Sequence, residues 1–317
     1  MDKAKRLREL LANPGPILSP GVYDCISAKV AERSGCPAVS ISGAAVTASI
    51  LGYPDVGLQT MVEILNHVRN IARSVDIPIV VDADTGYGNA LNVMRAVREF
   101  EAAGLAGMQF EDQTFPKRCG HFEGKQCISK EEMVVKIKGA CEARRSDDFV
   151  IVARTDSRAV EGLDRAIERA LAYCEAGADV IFVEALLSVE DMKAVAKAIP
   201  KPLRANMTEG SKTPMISYWE LYDMGFKIIN HSGLLQRTAI RGMLDVMEVL
   251  FKDGTTNAVY PARICDLSDR SELLGLEEFY QLEERLYGPL MDTEGSLRKA
   301  LQAKTSAQKK EKKQLPF

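Results

Sequence analysis

The chain has 317 residues, 46% of them apolar and 27% charged, with a net charge of −3 at neutral pH. That length fits one large α/β domain or two small ones around a sizeable core. The charge balance gives no reason to expect nucleic acid or an anionic membrane as a partner, and no apolar run reaches the roughly 18 residues of a membrane helix. The charged N-terminal stretch lacks the apolar core of a signal peptide, so a cytoplasmic protein is expected. Seven widely spaced cysteines with no C-x-x-C pair indicate neither a zinc site nor a disulfide framework.

In chain order, short apolar runs alternate with helical patterns. Strands are expected over 17–19, 38–41, 79–81, 107–110, 150–153, 180–183, 203–205 and 227–230, with helices between them, for example over 90–103, 164–176 and 189–198. Gly104 and Gly177 read as helix C-caps leading into the next strand. Continuous apolar strands suit a parallel sheet buried on both faces. Eight β/α alternations in about 235 residues predict a (β/α)8 barrel. The competitor, a doubly wound open sheet, lacks a strand-following G-x-G-x-x-G in support. Two further helices are expected near 274–287 and 291–303. The lysine-rich tail 304–317 is expected to be disordered.

A barrel carries its chemistry at the C-terminal ends of its strands, and polar residues recur there. Ser42 and Gly43 follow the second strand, Asp82 and Asp84 the third, and Glu111 and Asp112 the fourth. Arg154 and Asp156 follow the fifth, Glu184 the sixth, Asn206 and Thr208 the seventh. Asp82 and Asp84, two apart at a strand end, can point the same way. Paired carboxylates repel unless a cation lies between them, and an open set of hard oxygen donors suits Mg²⁺. The alternative is a helix N-cap with a salt bridge. In the long polar loop 113–129, Cys119 follows two cations, Lys117 and Arg118, and lies near His121, which would lower its pKa and activate it; an incidental exposed cysteine is the alternative.

The motif Lys117-Arg118-Cys119-Gly120-His121, with the GMQFEDQ and VDADTGYGN segments before it, resembles the isocitrate lyase/phosphoenolpyruvate mutase superfamily over residues 5–290. That resemblance implies a (β/α)8 TIM barrel, its last helix swapped between subunits within residues 1–290, in a homotetramer. It also implies Mg²⁺ (with Mn²⁺ as the alternative) and a small-molecule carboxylate substrate. Within the superfamily the chain is most similar to the 2-methylisocitrate lyase branch. The similarity assigns Asp82 and Asp84 to the metal and Cys119 to catalysis. It assigns Ser42, Gly43, Ala44, Gly120, Arg154, Glu184, Asn206, Met207, Thr208, Arg237 and Arg270 to the substrate. An arginine holds a carboxylate with a planar fork; ordinary surface pairing is the alternative for Arg237 and Arg270.

The expected activity is cleavage of a 2-hydroxy polycarboxylate, such as 2-methylisocitrate, to pyruvate or glyoxylate plus a dicarboxylate such as succinate. The alternatives are a phosphonomutase, a 2,3-dimethylmalate lyase or an oxaloacetate decarboxylase. Two departures stand out. Ser40 replaces a tyrosine of the lyase pattern, and Asn230-His231-Ser232-Gly233 replaces Tyr-Pro-Leu-Ser and is similar to the mutases. The segment 205–214 also resembles carboxyphosphonoenolpyruvate mutase.

Overall fold

The computed structural model describes residues 2–118, 120 and 124–291. The helix expected beyond Met291 and the tail 304–317 lie outside them, as do Cys119 and His121. In chain order the elements are α1 (Lys3–Ala12), β1 (Ile17–Leu18), β2 (Gly21–Val22), α2 (Cys25–Arg33), β3 (Val39–Ile41), α3 (Gly43–Leu51), α4 (Met61–Ser74), β4 (Ile79–Asp82) and α5 (Ala90–Ala102). Next come β5 (Gly107–Glu111), α6 (Lys130–Ala143), β6 (Val150–Thr155), α7 (Arg158–Glu161), α8 (Leu163–Glu175), β7 (Val180–Val183), α9 (Val189–Ala198), β8 (Leu203–Asn206), α10 (Tyr218–Met224) and β9 (Phe226–Asn230). The chain then forms α11 (Leu234–Asp253), α12 (Leu267–Leu273) and α13 (Leu276–Met291).

Every strand pairing is parallel, in the order β1-β9-β8-β7-β6-β5-β4-β3-β2. The first expected strand is two pieces. β1 pairs with β9, while β2 pairs with β3. Pro20 lies between them and has no N–H to give the ladder, yet its carbonyl accepts from Ser40 N at 3.1 Å. The segment 17–22, taken as one interrupted strand, therefore joins the first and last strands and closes an eight-stranded ring. The other expected strands and helices form within one or two residues of their expected bounds. The helix expected near 274–287 is α13, which starts at Leu276 because Gly275 turns left-handed at φ +73 after Leu274, the C-cap of α12.

Side-chain alternation sorts the strands into two layers. Val39, Ile41, Ile79, Val81, Met108, Phe110, Ile151, Ala153, Ile181, Leu203, Ala205 and Ile229 face the helices and form the main core. The opposite parity, Ile17, Val80, Val150, Val152, Val180, Phe182 and Ile228, fills the lower barrel interior together with Leu7 of α1. Continuing the inward parity to the strand ends places Asp82, Gln109, Arg154, Glu184, Arg204, Asn206 and Asn230 at the mouth. The chain divides into two compact units, residues 1–241 and 242–317. The first contains the whole barrel. Among the described residues, no helix is long and apolar enough to cross a membrane.

Candidate active site

A cleft of about 530 Å³ opens at the strand ends, lined by Asp55, Asp82, Lys117, Arg154, Glu184 and Arg204, with Ser42, Ala44, Gly120, Asn206 and Asn230 around them. The metal candidates sit on one wall. Asp84 adopts φ +48, a conformation aspartate tolerates better than most residues. Its N–H donates to Asp82 Oδ1 at 3.3 Å, and its carbonyl accepts from Glu111 N at 2.8 Å. Ser42 caps α3, accepting from Ala45 N, which brings Gly43 against the aspartates. A Cβ at position 43 would meet Asp82 Oδ2 at 3.0 Å and Asp84 Oδ1 at 3.4 Å. Both carboxylates therefore converge on a spot that the missing side chain leaves open. The helix-cap alternative is not what is found, since α5 is capped by Asn89.

Charge crowding is the dominant feature of this wall. Burial raises the Asp84 carboxyl to about 6, with Asp82 and Asp55 adding to the rise and Lys117 opposing it. Burial also pushes Glu111 well up, against Arg154 and Lys117. The Lys117 ammonium lies 2.5 Å from Asp55 and 2.8 Å from Asp84. Burial disfavours its charge, but Asp84, Glu111, Asp55 and Asp82 outweigh burial and hold it protonated. Among the described residues, no three His, Cys, Asp or Glu side chains form a ready metal cage. Two convergent carboxylates in an open cleft nevertheless match a hard cation that keeps several waters.

The loop 113–129 returns on itself. Gln113 and Cys127 form an antiparallel bridge, and Thr114 N donates to Gln126 O at 2.8 Å. The Gln113 amide donates to Glu111 Oε1 and to Arg118 O, and its oxygen accepts from Arg118 N. The described part of the loop reaches the barrel mouth. Lys125 donates to the Gly120 carbonyl and to Asp156 Oδ1, and a Cβ at Gly120 would strike Arg154 and Glu184. Only glycine permits that approach.

Arg154 is heavily engaged. Its Nε and Nη2 donate to Asp156 at 2.8 and 3.0 Å, and it lies 3.3 Å from both Glu111 and Glu184. Asp156 is fully buried; burial alone would raise its carboxyl, but Arg154 and Lys125 hold it below the ordinary value. Beneath it, Asp112 accepts from Thr155, Tyr173 and Asp156 N, which braces the base of the mouth.

The remaining residues of the expected site are more scattered. Met207 turns into the core and borders a smaller cavity. Thr208 reaches Ser232 at 3.3 Å. Arg237 is half-exposed and donates to the carbonyl of Glu209 at 2.8 Å. Arg270 lies exposed on α12 in the second unit. His231 stands 3.7 Å from Glu209, and His67 bonds the Tyr23 carbonyl at 2.6 Å, a structural contact. Conversely, Asp55, Lys117, Arg204 and Asn230 line the cleft without having been singled out as site residues. Arg204 did leave a signal, a charge at an inward position of a buried strand. Asp55, in a loop after α3, left none.

The phosphoenolpyruvate phosphomutase family model matches residues 7–251. The 2,3-dimethylmalate lyase of Eubacterium barkeri is 44% identical over 89% of this chain and 98% of its own length. The 2-methylisocitrate lyase of Aeropyrum pernix is 44% identical over 88% of each chain. A crystal structure of 2,3-dimethylmalate lyase superposes with a TM-score of 0.86 at 34% identity, covering 94% of this chain and 99% of that one. A phosphonopyruvate hydrolase holding oxalate and Mg²⁺ superposes at 0.81 with 30% identity, covering 90% and 99%. With its parallel barrel and the carboxylate-rich mouth at the strand ends, the chain belongs to the isocitrate lyase/phosphoenolpyruvate mutase superfamily, as an enzyme of its carbon–carbon lyase group.

Proposed function

We propose that the chain is a divalent-metal-dependent lyase that splits a 2-hydroxy polycarboxylate of the 2-methylisocitrate kind into pyruvate or glyoxylate and a dicarboxylate. The observation that carries this is the convergence of Asp82 and Asp84 on the open spot beside Gly43, with Gly120 seated opposite on Arg154 and Glu184. Asp82 and Asp84 would hold Mg²⁺, with Mn²⁺ able to replace it. A bound divalent ion supplies Lewis acidity toward the hydroxyl and carboxylate oxygens of a 2-hydroxy acid. Ser42 and Ala44 border the same wall, and Arg154 and Asn206 give the cleft donors. As the hydroxyl proton passes to a water in the cleft, the carbon–carbon bond breaks, its electron pair passes to the departing carbon, and the hydroxyl carbon becomes the carbonyl of the 2-oxo acid. The Cys119 thiol gives its proton to that carbon, completing the dicarboxylate. Loop 113–129 keeps water from the carbanion until then.

The deciding experiment is a panel of 2-methylisocitrate, isocitrate, 2,3-dimethylmalate and oxaloacetate with pyruvate and glyoxylate detection. Release of neither keto acid from any of them would reject a lyase of this class. A Cys119→Ser variant should lose about a hundredfold in turnover with metal affinity unchanged; near-normal cleavage would remove the thiol from the mechanism. Asn230 at the cleft favours a phosphonomutase, as does the resemblance of segment 205–214, and a carbon–phosphorus signal in ³¹P NMR would identify that reaction.

The homotetramer belongs to the same reading. Along α11, Ile240, Met243, Leu244, Met247, Leu250 and Phe251 are exposed at three- and four-residue spacing, Phe251 by 84%. Such a stripe suits burial against further copies of the chain. Sedimentation at micromolar concentration should give a tetramer, and a monomer would refute it.

A further inference from the structure

Arg204 is a buried cation without a counterion. Its neighbours on β8, Leu203 and Ala205, face the outer core, so strand parity turns the guanidinium into the barrel, where it lines the cleft at 4% exposure. Among the described residues, no carboxylate lies within the 4.0 Å of an ion pair. With the Asn230 amide turned so that its nitrogen donates to the Ser19 carbonyl at 2.5 Å, its oxygen accepts from Arg204 Nη2 at 3.2 Å; turned the other way, the nitrogen donates to Asn206 Oδ1 at 3.1 Å. The Arg204 Nε has no partner. The guanidinium lies 5.7 Å from the centre of the Phe182 ring, which Arg154 also approaches, at 5.3 Å. Burial pulls its pKa down to about 10, with Asp82 and Glu184 acting against the fall and Arg154 adding to it.

The contrast with Arg154 is informative. Arg154 is matched by three carboxylates, whereas Asp82 and Glu184 act on Arg204 only from beyond ion-pair distance, and the other polar groups that line the cleft with it include the neutral Asn206, Asn230 and Ser40. A desolvated guanidinium is stabilised by an anion with matching planar geometry. Here the protein supplies the fork and leaves the anion to the ligand.

We propose that Arg204 is a substrate-specificity residue that receives a second carboxylate of the substrate, distinct from that of the 2-hydroxy acid head at Asp82 and Asp84. This rests on the lyase reading only for the position of that head. It makes the preferred substrate a di- or tricarboxylate and excludes a simple 2-hydroxy monocarboxylate. It also relates the Ser40 and Asn230 departures to one another, because both border the space around this arginine.

The test uses the full chain with Mg²⁺ and two probes, malate and lactate, which share the 2-hydroxy acid head and differ by one carboxylate. Titration calorimetry on the parent should show malate bound about thirtyfold or more tightly than lactate, the effect of satisfying a buried charge. In Arg204→Leu, malate should fall to the level of lactate while lactate binding is unchanged; Arg204→Lys should keep part of the preference. Arg204→Gln, which keeps a polar donor of similar length, carries the same expectation as the leucine variant should that variant not fold. A parent that does not distinguish the probes, or a preference that survives loss of the charge, overturns the proposal. The two readings fail separately. Loss of the malate preference in an enzyme that cleaves nothing in the panel would sink the lyase but keep the arginine. Cleavage with kcat/KM unaltered in Arg204→Leu would do the reverse.

Discussion

An Asp84→Asn variant should lose at least about a thousandfold in turnover, several kcal/mol of transition-state stabilisation, and yet unfold at a higher temperature than the parent above pH 7. The two effects have one cause. In the metal-free fold the Asp84 carboxyl is raised from 3.8 to about 6, chiefly by burial. A carboxyl whose folded value exceeds its unfolded one favours folding at low pH, and that contribution is lost as pH rises through about 6. Above pH 7 its ionised form therefore opposes folding by on the order of 2 kcal/mol. Asparagine removes that charge and tolerates the φ of +48, and Lys117 keeps Asp55 at 2.5 Å. Melting curves in chelator at pH 5 and 8 and turnover across a Mg²⁺ titration measure both effects. Full activity at any Mg²⁺ concentration, or a lower melting temperature than the parent at pH 8, would contradict the account.

The second large effect is expected at Asp156. It is fully buried and accepts from Arg154 Nε, Arg154 Nη2 and Lys125 Nζ at 2.8–3.0 Å. Removing one partner from a buried ionic group leaves the other stranded, and Asp156→Ala should cost about 3–5 kcal/mol. Denaturant melts would measure it, and a change below about 1 kcal/mol, the range of a surface ion pair, would rule it out. Activity should fall with stability. Lys125, which ties the loop to the mouth through the Gly120 carbonyl, would lose its acidic partner, and Arg154 would be left to Glu111 and Glu184 alone.

The barrel was legible because its code is local. Runs such as residues 79–81 and 150–153 are apolar at both parities, which only a strand covered on both faces needs. The chemistry at the strand ends was legible for the same reason, since Asp82, Arg154, Glu184 and Asn206 each end or follow such a run. What escaped was set by tertiary neighbours. Lys117 was visible only as part of a motif around Cys119, and nothing local indicates that its ammonium would settle between Asp55 and Asp84. The family resemblance assigned Arg237 to the substrate, but it does not reveal that Glu209 would occupy it. Pro20 hid β2 by interrupting the ladder.

That interruption bears on what the first two dozen residues are for. The short stretch through Pro20 bridges β9 and β3, each half of it hydrogen-bonded to a different flank. Delete it and the cylinder unrolls into a ribbon with two raw selvedges of unsatisfied amides and carbonyls, the kind of border that recruits strands from other molecules. Shortening the chain past Val22 would thus convert a closed cylinder into a seed for aggregation, even though every residue of the catalytic mouth except Gly21 lies farther along the chain.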